Sequence, residues 1–145
     1  DDLEMRNFRI ILVTVFISLM CEACTSWVDI HENIALVNMS DKVIGCQLLC
    51  DKNIASADSV YFAKSESHIV YPESVLMFRA QNGNWEDDIK SISYVQLLIM
   101  NGDSLQKYLN ATEDFVRKHV PVLKVYRYKR EDLERMNWTV IYSPR

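Results

Sequence analysis

The sequence predicts a mainly β fold: a small β-sandwich, immunoglobulin-like or similar, with one or two short helices. Three observations predict it. Six to eight short runs rich in β-branched and aromatic residues succeed one another along the chain. Turn chemistry recurs between them every eight to twelve residues, the spacing of a sandwich rather than of βαβ units. No internal repeat is present.

Taken in order, Ile34–Met39 and Val43–Cys50 read as two strands of a hairpin, with "NMSDK" as the turn between them. Val60–Ala63 is the next β-like run, and His68–Ala80 a longer one that Pro72 breaks in two or confines to an edge. Asn82-Gly83 is a tight-turn pair, and "WEDDIKS" reads as a turn or one helical turn. In "ISYVQLLIMNGD", Tyr94, Gln96 and Leu98 alternate with Val95, Leu97 and Ile99, as a strand requires. Asp103 with Gln106 forms a capping-box pattern. From there Leu105, Tyr108, Leu109, Thr112, Phe115 and Val116 keep helical spacing to His119, where Pro121 stops it. "VLKVYRYK" is a strand, "REDLERM" one or two helical turns, and "NWTVIYS" a closing strand.

At 145 residues, with 49% hydrophobic and 25% charged residues, the chain has the size and composition of one globular domain. Its net charge is −4. Four of the 20 acids and two of the 16 bases fall within residues 1–24, so the remainder keeps 16 acids against 14 bases. That balance gives neither a basic footprint for nucleic acid nor a polybasic patch for anionic lipid.

The N-terminal segment carries the clearest signal. Met5 reads as the start, with "DDLE" as upstream residues; Arg6 and Arg9 precede an apolar run, Ile10–Met20, which leads into "CEAC". A basic flank, an apolar stretch and then small residues is the layout of a secretory signal. The run is about half the roughly 20 residues that a membrane-spanning helix needs, and Glu22 ends it. Residues 1–23 are therefore expected to be a leader and 24–145 a single extracytoplasmic domain. Ala23-Cys24 resembles the lipobox of bacterial lipoproteins, in which the cysteine becomes the acylated first residue; Glu22 and Cys21 depart from that pattern. Ordinary cleavage after Ala23 is the alternative, because Cys21 and Ala23 also form a small-x-small site.

Two stretches carry a further resemblance. Val37, Asn38, Ser40, Asp41 and Ile44 match an early V-N-x-S-D-x-x-I hairpin. Near the end, Arg127, Tyr128, Asp132, Leu133, Asn137, Trp138, Thr139, Ile141, Tyr142 and Pro144 match an Arg-Tyr strand, a short helix and an N-W-T-I-x-Y-P strand. The chain in this respect resembles a family of uncharacterised lipoproteins from Bacteroides-type bacteria. Arg130 stands where such members tend to have a capping Thr, and Ser143 intervenes before Pro144. The resemblance implies an envelope location and no activity. "DSV" (Asp58–Val60) and "DSL" (Asp103–Leu105) resemble the O-glycosylation site of such envelope proteins.

Candidate chemistry is sparse. Cys46 and Cys50 lie about 13 Å apart if their segment is a strand, beyond the roughly 7 Å a disulfide tolerates. A bridge would need a bulge or helix at Gly45; two small apolar residues in the core is the simpler reading. His31, His68 and His119 share no metal-binding or catalytic spacing. The pairs Asp87-Asp88 and Glu113-Asp114 read as solvated or helix-start charges. Among the aromatic residues, mostly core formers, Trp85 beside its polar turn is the candidate for an exposed ligand contact. No catalytic residue, metal site or cofactor is predicted. The function expected is a lipid-anchored envelope protein, a binding or structural accessory on the periplasmic face. The acid run that resembles a surface-export signal is missing after Cys24. Its partners would be the membrane, through the lipid, and a glycan or another envelope protein. The runners-up are a small glycan hydrolase with a carboxylate pair assembled by the fold, and a subunit that donates a strand.

Overall fold

The computed structural model describes residues 30–50, 62–92 and 94–144. Among these residues the apolar runs become seven strands in two sheets: β1 (Asn33–Asn38), β2 (Ile44–Leu49), β3 (His68–Val70), β4 (Ser74–Arg79), β5 (Val95–Asn101), β6 (Val122–Tyr128) and β7 (Thr139–Tyr142). One sheet has the order β4-β1-β7 and the other β3-β2-β5-β6. All pairs are antiparallel except β1 with β7. Among the described residues the short helices are α1 (Trp85–Asp88), α2 (Gly102–Tyr108), α3 (Glu113–His119) and α4 (Arg130–Arg135), with a 3-10 turn at Lys64–Glu66. The predicted sandwich is present, with more helix than expected.

Its main core lies between the sheets. Ile34 and Leu36 of β1, Phe78 of β4 and Val140 and Tyr142 of β7 pack with Ile44, Cys46, Val95, Leu97 and Ile99 of the second sheet. Each fully buried aliphatic side chain there contributes about 1.5–3 kcal/mol. A second core forms where α2 and α3 cover the outer face of that second sheet, joining Leu98, Met100, Leu105, Val116, Val120 and Phe62. Strand β5 is consequently buried from Val95 to Met100. Its alternation is between two cores, not between core and solvent, which is how a strand covered on both faces reads.

Two expectations are corrected. First, β1 and β2 do not form a hairpin: they belong to different sheets, and "NMSDK" is the corner between them. The cause is Asn38, fully buried. Its Nδ2 donates to the carbonyls of Lys42, Val70 and Tyr71 at 2.9, 3.2 and 3.1 Å, while its Oδ1 accepts from the Ser40 N–H and hydroxyl. One side chain thus ties the β1–β2 corner to the β3–β4 corner, where Pro72 divides the longer run as expected. Second, the helix from Asp103 to His119 is two helices. Thr112 caps the second through Oγ1, and a Thr that bonds the backbone N–H three residues on favours a fresh start over continuation. The first is capped by Asn101, which accepts from Ser104 N–H at 2.8 Å; Asp103 is in its first turn instead. The bulge at Gly45 that a Cys46–Cys50 bridge would need is not there. The residue sits in regular pairing with Ile69 and Met100, and a Cβ there would lie 2.5 Å from Leu105 Cδ2. The glycine lets α2 approach the sheet.

Gly102 is more constrained still, since a Cβ would stand 2.6 Å from the carbonyl carbon and oxygen of Val43. Backbone cannot swing aside as a leucine methyl can. Gly102→Ala is therefore expected to cost about 2–3 kcal/mol by overpacking, read as a lowered urea midpoint, with Gly45→Ala costing less. Equal effects would contradict this placement of α2.

Of the other sequence readings, Val60 and Tyr61 fall outside the described residues, and Phe62 and Ala63 are not in a strand. Cys24, the leader and the Asp58–Val60 triplet also lie outside them. No helix among the described residues is long and apolar enough to cross a membrane.

Candidate functional site

Helix α1 organises the polar chemistry of the domain, because each residue of "WEDD" reaches a different neighbour. The sequence expectation of an exposed Trp85 is overturned: the indole is 5% exposed, and its N–H donates to the Phe78 carbonyl at 2.9 Å. A tryptophan two residues past a Gly turn is drawn inward because the helix starts at once, capped by Asn84, and turns its first side chain onto the core.

Glu86 points the other way, to the start of β1. Its Oε1 lies 2.6 Å from His31 Nδ1, and its Oε2 accepts the His31 backbone N–H at 3.2 Å. The imidazole stacks on Trp138, centroids 4.7 Å apart and planes within 17°. The His31 carbonyl accepts the Trp85 N–H at 2.8 Å. Burial pushes the Glu86 carboxyl up, but the hydrogen bonds from the His31 ring and from backbone amides outweigh it, leaving it below the usual carboxylate range. The partners stand 55 positions apart in sequence, so no local spacing announces them. They form a clamp on the incoming chain.

A carboxyl with a depressed folded-state pKa contributes stability above its unfolded value, near 4.3. That contribution is lost as pH falls through the folded value. Glu86→Gln is thus expected to lower the urea midpoint at pH 7, by a deficit that shrinks as pH falls below the ordinary carboxylate value. A deficit as large at pH 3 as at pH 7 would contradict the assignment.

The acid pair Asp87-Asp88 does not face a partner across a cleft. Asp87 Oδ2 accepts from Asn84 Nδ2 at 2.8 Å. Asp88 accepts the backbone N–H groups of Gln81 and Asn82 and the Asn82 amide, closing the turn that holds Gly83 at φ +96°. Of the second pair, Glu113 accepts the Lys64 backbone N–H, and Asp114 pairs with Arg117 on the exposed face of α3.

Beside α1 lies a cleft of about 520 Å³, between the end of β2, β4 and the 3-10 turn. Glu66, His68, Arg79, Gln81, Asn82 and Asp88 supply its polar lining, with Phe78 and Trp85 beneath. Cys50 and Ala63 on its rim flank residues 51–61, which are not described. Such a wall suits a small polar ligand. One of its two carboxylates, Asp88, is already occupied by Gln81 and Asn82.

The cysteines have separate surroundings. Cys46 is a free, fully buried thiol of the inter-sheet core, and burial pushes it up to about 12. It is therefore protonated at neutral pH and inert as a nucleophile or metal ligand. Cys50 follows β2 at the cleft, its thiol 3.5 Å from the Asp88 carbonyl. The extended strand between them excludes the Cys46–Cys50 bridge on the distance argument made from the sequence. The histidines are not gathered either: His68 sits edge-on to Phe78, and His119 stacks on Phe115 at the end of α3. No metal-binding cluster of His, Cys, Asp and Glu occurs among the described residues.

Both stretches that carry the family resemblance turn out to be corners. The first is the Asn38 corner described above. In the second, Asn137 and Trp138 adopt φ +50° and +55°. Their N–H groups bond the carbonyls of Glu134 and Leu133 and so close α4, while the Trp138 carbonyl accepts from Ala35 and aligns β7 with β1. No protein-family model, curated protein or solved structure matches the chain.

Proposed function

We propose that this chain is a cell-envelope lipoprotein, held by an acyl group on Cys24 and acting as a non-enzymatic binding or structural accessory on the periplasmic face. The observation that carries the reading is the N-terminal order itself: two arginines, an eleven-residue apolar run, then Ala23-Cys24 directly ahead of the folded strands. The resemblance to Bacteroides-type lipoproteins points to the same location. Two features of the domain support an accessory role. Two acids beside the cleft and the chain entry, Glu86 and Asp88, are spent on holding that entry and a turn. The buried thiol is held in its unreactive form. A ligand, a glycan or a segment of an envelope protein, would have the polar cleft beside α1 as its place.

The test is detergent phase separation of the exported full-length chain and of Cys24→Ser. The wild type is expected in the detergent phase and the variant in the aqueous phase. Unchanged partitioning of the variant would refute the anchor.

A further inference from the structure

The outward face of the three-stranded sheet is apolar where a solvated sheet face would alternate to polar. Strand register sets Val75, Val37 and Ile141 side by side in one row, and Met77, Ala35 and Thr139 in the next. Val75, Met77 and Ile141 are 54%, 60% and 61% exposed, and Met39, just beyond β1, extends the patch at 58%. The pleat requires this arrangement: Ile34, Leu36 and Val140 occupy the inner core, so their neighbours in sequence must face out. No acid stands among these strand positions; exposed Glu73, just beyond β4 at the Met39 end, and Arg79, paired with Asn33 where the chain enters β1, bound the face.

We infer that this face is a membrane-contacting surface, seated on the lipid bilayer that the Cys24 anchor occupies; the inference rests on the anchor reading. The length of chain before β1 supports it. Eight residues separate Cys24 from Asn33, a reach of at most about 30 Å. An anchored domain therefore never leaves the neighbourhood of the bilayer, and its first strand is the centre of the apolar face. A tether of that length sets an effective concentration in the millimolar range, at which a patch of a few aliphatic side chains suffices. A second copy of the chain is the other occupant that a flat apolar face admits, and the test separates the two. A bilayer asks for no shape complement.

The test uses the exported, acylated full-length chain in vesicles of phosphatidylethanolamine and phosphatidylglycerol. In a Cys50→Ser background, Ile141→Cys on the face and Lys118→Cys on α3 are each labelled with an environment-sensitive fluorophore. Brominated acyl chains then serve as quencher. Quenching at position 141 is expected to exceed that at 118 at least threefold. Equal quenching at the two positions, or none at 141 while the chain stays vesicle-bound, overturns the surface. So does efficient crosslinking between two chains at 141, which would assign the face to a second copy. The anchor reading is scored separately by the lipid content of the same protein. An unacylated chain that still binds and is quenched at 141 keeps the surface and removes the anchor, and one that shows no quenching removes both.

Discussion

Replacing Asn38 by alanine is expected to destabilise the domain by about 2–4 kcal/mol, as the buried Val70 carbonyl and the partly buried carbonyls of Lys42 and Tyr71 lose their donor, the buried one at roughly 1–3 kcal/mol. The side chain is fully buried and spans two corners. On one side it orders Ser40 and Lys42 after β1; on the other it holds Val70 and Tyr71 between β3 and β4. These are the places where the chain passes from one sheet to the other, so the loss falls on the connection of the layers. Asn38→Asp is the informative companion. It keeps the acceptor for Ser40 and loses the donors to all three carbonyls, adding a charge where nothing compensates it. It is expected to be at least as destabilising as alanine at pH 7, measured by urea unfolding, and to recover partly at pH 3. An aspartate variant near wild-type stability would show that the Ser40 contacts, not the carbonyl contacts, hold the corner.

Trp138→Ala is expected to cost about 3–5 kcal/mol from the cavity left by a large buried aromatic. Its effect differs in kind, because Trp138 is 3% exposed and joins three features at once. Its ring packs in the inter-sheet core and under the His31 imidazole, its N–H closes α4, and its carbonyl aligns β7. The left-handed backbone is costly for a residue with a Cβ, about 1–2 kcal/mol, and the packing of the ring offsets it. Trp138→Gly should therefore be less damaging than alanine by roughly that backbone term, although it removes one atom more. Thermal melts of the three proteins rank wild type first, then glycine, then alanine. Alanine above glycine would contradict the account of the strained corner.

How much of this was legible in the sequence follows from what each feature depends on. Strands β3 to β7 were readable because period-two patterning, Pro72 and the Asn-Gly turn are local. The pairing of β1 was not. A run followed by "NMSDK" and another run looks like a hairpin whether the chain turns back or crosses to the second sheet. The decision rests on a buried asparagine whose partners lie over thirty positions away. The split of the central helix hinged on Thr112, which local spacing treats as one more turn of the same face. Trp85 failed for a related reason: polar neighbours in sequence describe the turn, while the direction of the first side chain of α1 is set by Asn84. The His31–Glu86 clamp carried no sequence signal, since its two halves meet only after the sandwich forms. For the cysteines the physical arithmetic of a strand was sufficient, and Cys46 lies in the core as the simpler reading expected.

The N-terminal reading stands on residue order, and it predicts a covalent fact. Intact-mass measurement of the protein extracted from membranes of an exporting bacterium should show a chain that begins at Cys24, heavier than residues 24–145 by a diacylglyceryl group with or without an amide-linked acyl chain. A mass equal to residues 24–145 without lipid, or one that retains residues before Cys24, would contradict it.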